Sequence, residues 1–134
     1  MKRIVLFFAV ISALGLTATA QDDSAFVGWM KTVGPTGGSL RKNIEAKNAD
    51  GAAADAKKLQ ATFVQVHEYF SKKGVDDAMK FAMTASATYG EVADLAAAGK
   101  FDDASASLKK ASATCGGCHA AHREKAADGT YKIK

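Results

Sequence analysis

The sequence has one proline, two cysteines and 8% aromatic residues in a chain of 134. So little proline leaves helix interiors unbroken except at Pro35. Two cysteines three apart cannot staple a small exported domain, which needs more of them spread along the chain. No stretch alternates apolar and polar residues in the manner of a half-buried strand. No run of lysine and arginine is interleaved with aromatics, which makes nucleic acid a poor candidate partner. No nucleophile–base pair or paired carboxylate set stands out, so the chain does not read as an enzyme and no catalytic residue is assigned.

The one long, nearly all-apolar run, Ile4 to Leu16, follows the basic start Met1-Lys2-Arg3 and precedes Ala18-Thr19-Ala20. Basic start, apolar middle and small-x-small end make a secretory signal, cut after Ala20. The run is too short for a comfortable membrane span, which takes roughly 20 residues. The expected mature protein is residues 21–134, one small exported domain. The signal also carries Lys2 and Arg3, so the formal charge of +4 falls to +2 in the mature chain.

What is present is helical periodicity. Apolar residues step by three or four in four blocks. The first is Phe26, Trp29, Met30, Val33, Gly37, Leu40 and Ile44. The second is Ala56, Leu59, Phe63, Val66 and Phe70. The third is Val75, Ala78, Ala82, Ala85, Tyr89, Val92 and Ala96. The fourth is Phe101, Ala104, Leu108, Ala111, Cys115, Cys118 and His122. Punctuation falls between them. Asp22-Asp23-Ser24 is a candidate cap for the first helix. Asn48-Ala49-Asp50-Gly51 separates the first two helices, and Gly74 suits a left-handed end to the second. Asp76-Asp77 and Asp102-Asp103 put negative charge at the starts of the third and fourth. Gly99 closes the third and Asp128-Gly129 is expected to close the fourth. Pro35 interrupts the first stripe without changing its phase, which predicts one helix kinked there. Four helices with short loops predict an all-α antiparallel four-helix bundle. The third and fourth stripes are mostly alanine, so the helices must approach closely or leave a void, and voids are costly.

Within this Ala-rich frame, "TCGGCHAAHR" (Thr114–Arg123) gathers both cysteines and two of the three histidines. Cys115-Gly116-Gly117-Cys118-His119 has the C-x-x-C-H spacing of covalent c-type haem attachment. Thiols three apart on a helix lie on one side, about one turn apart, and can add to the two vinyl groups of one porphyrin edge. His119 can then serve as axial ligand. A thioredoxin-like pair would open a helix after a strand, and there is no strand. A zinc site would need Cys115, Cys118, His119 and His122 to surround a metal from one or two turns of a single helix. A disulfide across three residues closes too small a loop to stabilise much. A haem would also fill a void between small side chains. Met30, on an apolar stripe, reads as core packing by default, although its thioether is a soft ligand for haem iron opposite histidine.

These residues resemble the class II c-type cytochromes, the cytochrome c′ family. "CGGCHAAHR" resembles the family's haem-binding end of the fourth helix, and "WMKTVG" (Trp29–Gly34) resembles its distal segment of the first. The resemblance implies a four-helix bundle holding one haem c through Cys115 and Cys118, with His119 as axial ligand. It places Met30 at the position where the low-spin branch, similar to cytochrome c-556, uses methionine as second iron ligand. The function implied is a periplasmic one-electron carrier that exchanges electrons with periplasmic or membrane-bound redox proteins. The alternative is a five-coordinate binder of nitric oxide or carbon monoxide, as in the family's high-spin branch. Arg123 follows the family pattern and is either a haem-packing or propionate-pairing residue or a solvated helix-end cation. Phe26 replaces a frequent arginine, so propionate pairing would fall to Arg41 or a lysine. His122 is a haem-edge or surface residue, His67 is solvated or partly buried, and Met79 and Met83 are haem-packing or core residues. The family also leaves open a homodimer through the first two helices.

Overall fold

A computed structural model describes residues 15–134, with side chains from Asp23 onward. The expected secretory signal falls outside these residues, apart from the backbone of 15–20. Four helices follow one another: α1 (Gly15–Glu45), α2 (Ala49–Lys73), α3 (Asp76–Ala97) and α4 (Phe101–His122). Each packs on the next in sequence, and cross-helix bonds fix an antiparallel order. Asp23 on α1 meets Tyr69 and Lys73 near the end of α2, while Asn43 meets Asp55 near its start at 2.8 Å. Asp77 at the start of α3 meets His122 at the end of α4. The chain is an all-α four-helix bundle.

The stripes expected from the sequence form its core. Leu40, Ile44, Leu59, Phe63, Val66, Phe70, Tyr89, Val92 and Leu108 are buried together. Leu40 and Leu59 are almost fully enclosed, each contributing ~1.5–3 kcal/mol relative to exposure. The alanines solve the packing problem by close approach. Ala52, Ala56, Ala78, Ala82, Ala85, Ala96, Ala104 and Ala111 are each no more than 2% exposed. These small side chains draw α2, α3 and α4 into one dense frame. Only the α1/α4 seam stays loose, with far less contact than the other neighbouring pairs.

Local signals act largely as expected. Asn48 caps α2 by accepting from the Gly51 N–H at 3.1 Å. Gly74 and Gly99 end α2 and α3 with φ of 67° and 72°, where a side chain would be strained. Asp76-Asp77 and Asp102-Asp103 open α3 and α4. Pro35 lies inside α1, which remains one helix through it. Gly34 helps here, because a Cβ before proline clashes with the ring and disfavours helical backbone.

Two expectations are corrected. Asp22-Asp23-Ser24 does not cap α1, whose backbone is already helical from Gly15; Asp23 bridges to α2 instead. Asp128-Gly129 does not end α4, which stops at His122. The last residues form a hairpin of β1 (Arg123–Lys125) and β2 (Tyr131–Ile133), with Arg123 opposite Ile133. The Asp128 carboxylate accepts from the Thr130 N–H at 2.9 Å and hydroxyl at 2.6 Å, and Gly129 takes φ 84°. Ile133 packs on the core, and the Lys134 N–H donates to the His122 carbonyl at 2.9 Å.

Candidate cofactor site

The Cys115–His119 motif lies in the last two turns of α4, at the bundle end where α1 begins its packing and α2 finishes. Phe70 of α2 links both sides, with its ring 5.5 Å from Phe26 of α1 and 6.0 Å from the His122 ring. Met30 is about one turn further into the bundle than Phe26, and Cys118 and His119 about one turn further in than His122. Antiparallel register therefore sets Met30 at the level of Cys118 and His119.

The faces agree as well as the levels. A groove of about 340 Å³ opens between α1 and α4, lined by Arg41, Ile44 and Glu45 on one side and Ser105, Leu108, Lys109 and Ser112 on the other. Stepping back along α1 by the helical period, Arg41 shares its face with Gly37, Gly34 and Met30. Stepping forward along α4, Lys109 and Ser112 share theirs with Gly116 and His119. Met30 and His119 thus both belong to the faces that border the loose seam. A Cβ at Gly34, Gly37 or Gly116 would have no atom within 4 Å. No protein atom crowds these three positions, and Gly34 and Gly116 are exposed.

Electrostatics favour ligation-competent forms. Both cysteines are free and half-buried. Burial pushes both thiols up, with Cys115 and Asp77 adding to the rise at Cys118, so both are protonated at neutral pH. Tyr89, buried and stacked on Phe63 with ring centroids 5.5 Å apart, lies near the Cys115 thiol. Burial, with Arg123 nearby, holds His119 below the usual histidine range, so its imidazole is neutral and keeps a lone pair for a metal. The donor set is two thiols, one imidazole and one thioether, which suits a covalently attached haem. Among the described residues no group of three or more His, Cys, Asp and Glu side chains could by itself hold a metal ion.

Compared with protein-family models, curated proteins and solved structures, the chain has no match. The site's meaning therefore rests on its residues alone.

The two motif glycines differ. Gly116 faces open space, whereas a Cβ on Gly117 would sit 3.0 Å from Phe81 Cε1. Gly117 is thus small because the Phe81 ring of α3 lies over it. His122 is held by the Asp77 carboxylate at 2.9 Å. The Arg123 guanidinium stacks on the Tyr131 ring at 4.0 Å, and its backbone N–H caps α4 at the His119 carbonyl. Met79 packs on the core, but Met83 is 59% exposed and so is not a core residue. His67 is half-buried on α2. Sequence reasoning gave Gly34 no role of its own and did not single out Tyr89 near Cys115. The available signal for Gly34 was its spacing of four from Met30, on the face that Gly37 and Arg41 continue.

Proposed function

We propose that this chain is a periplasmic c-type cytochrome, similar to the low-spin, methionine-ligated branch of the cytochrome c′ family, and carries one electron at a time. The observation that carries the reading is the half-buried Cys115-x-x-Cys118-His119 motif at the level of Met30, both on faces bordering an open seam. Each S–H of Cys115 and Cys118 would add across one vinyl C=C, sulfur to the inner carbon and hydrogen to the outer, so nothing leaves. His119 and Met30 would hold the iron, and haem c so held would supply a one-electron couple. The dense α2–α3–α4 frame keeps the His119 turn fixed, and a group held there would border the α1/α4 seam. Arg41 lies about three turns from Met30, too far along α1 to be a convenient propionate partner; Lys31 is closer.

A five-coordinate binder of nitric oxide or carbon monoxide is the competing reading. The looseness of the seam at Met30 favours it. The absorption spectrum decides between them. Low-spin bands with the weak far-red thioether–ferric absorption and no response to carbon monoxide are expected for the carrier. A high-spin spectrum that shifts with carbon monoxide assigns the gas binder. A purified mature chain whose mass equals the bare polypeptide removes both.

A further inference from the structure

Charge is distributed unevenly around the bundle. From Ser24 to Ile44 on α1, and from Ala104 on α4 to Arg123 just beyond it, there is no acidic residue. The same stretches carry Lys31, Arg41, Lys42, Lys109, Lys110 and Arg123, all exposed. By contrast α3 holds Asp76, Asp77, Glu91 and Asp94 against Lys80 alone. Arg41 and Lys109 stand on opposite walls of the α1/α4 groove, with Glu45 the one carboxylate there. The mature chain's modest net charge conceals this one-sided field, because the acids lie elsewhere.

We propose that the α1/α4 face is a docking surface for an acidic protein that exchanges electrons with this chain. The identity of the exchange rests on the electron-carrier reading; the docking itself rests on the charge pattern. A surface with an excess of one sign of charge speeds encounter with the opposite sign. Lys31 adjoins Met30 and Arg123 lies near His119, so a partner steered to this charge is also brought to the site's end of the seam, while the Arg41 and Lys109 groove lies about three turns further along. The groove's exposed side chains are charged or polar, with Ser112 beside the cations, and a polar, protein-like contact suits them better than insertion into lipid.

The test uses the intact mature chain and two probes at low salt: a fluorescent 20-residue poly-glutamate peptide, and phosphatidylcholine vesicles containing phosphatidylglycerol. Lys31→Gln/Arg41→Gln/Lys109→Gln is compared with Lys57→Gln/Lys58→Gln/Lys72→Gln on α2, which removes the same charge from another exposed face. The seam variant should weaken peptide binding by about tenfold or more and the control by less than about twofold, the difference shrinking as salt rises. Equal losses in both variants would mean that only net charge acts, and would overturn the proposal. So would absence of peptide binding, or seam-dependent binding to vesicles in preference to the peptide. Circular dichroism reads folding, and the single variants Lys31→Gln and Lys109→Gln repeat the comparison if the triple variant unfolds. The mass of the same samples reports haem separately, so loss of the carrier reading and loss of the docking face are distinct results.

Discussion

Replacing each motif glycine with alanine separates packing from open space at the heart of the site. A glycine inside a helix costs about 1 kcal/mol relative to alanine. At Gly116 the added Cβ meets nothing within 4 Å, so Gly116→Ala should stabilise the haem-free chain by roughly 0.5–1 kcal/mol. At Gly117 the same gain is opposed by Phe81, whose Cε1 and Cζ would lie 3.0 and 3.5 Å from the new methyl. Crowding a packed contact costs ~1–3 kcal/mol, so Gly117→Ala should range from neutral to about 2 kcal/mol destabilising. Urea unfolding of the reduced, haem-free chain measures both. With a slope of ~1–3 kcal/mol/M, a gap of about 1 kcal/mol between the variants moves the midpoint by ~0.3–1 M. If Gly117→Ala stabilised as much as Gly116→Ala, Phe81 would not lie over the motif and the placement of α3 against α4 would be wrong. The comparison also bears on the motif, because Gly116 carries a helix penalty that no protein contact explains.

Three further outcomes are expected. Met30→Ala should convert a low-spin haem protein to one that responds to carbon monoxide; an unchanged far-red band would remove Met30 from the iron. Gly37→Leu adds a branched side chain to the open seam face, so it should lower the haem content per mole of purified chain by at least about twofold while helix content holds, a Gly replacement being favourable in a helix. Full loading would place the cofactor elsewhere. Asp23 is held below the usual carboxylate range by the Tyr69 hydroxyl and then by Lys73. Its folded-state value is depressed, so its stabilisation is present above about pH 4 and fades as pH falls through that lower value. The stability difference between wild type and Asp23→Asn, measured by urea at several pH values, should be level from about pH 5 to 8 and shrink towards pH 2. A difference that persisted undiminished in acid would rule out the ionised bridge.

The core was legible because its signals are local and periodic. Leu59, Phe63 and Val66 recur at the helical repeat, and Asn48, Gly74 and Gly99 act through their own backbone. The hairpin was not legible. Arg-Glu-Lys and Tyr-Lys-Ile are three residues each, too short to show alternation, and only Asp128-Gly129 signalled a turn. Asp128-Gly129 also suits a helix end, and helix was the prevailing pattern. At the site, Cys115, Cys118 and His119 stood out by spacing alone. The openness around Gly34, Gly37 and Gly116 did not, because empty space depends on where a neighbouring helix lies. The Ala stripes posed a choice between close approach and a gap. The molecule uses both, the first among α2, α3 and α4 and the second between α1 and α4.

That division has a mechanical consequence. Three helices form a stiff block, while α1 is a leaf held on one side, pinned near its ends by Asp23 to Tyr69 and Lys73 and by Asn43 to Asp55. Breathing of the molecule should start with the leaf swinging from the block. In the proposed cytochrome, the permanent anchors and the histidine ride on the block, and the methionine rides on the leaf. The bond most easily broken at the iron would then be the one whose helix is freest to move away.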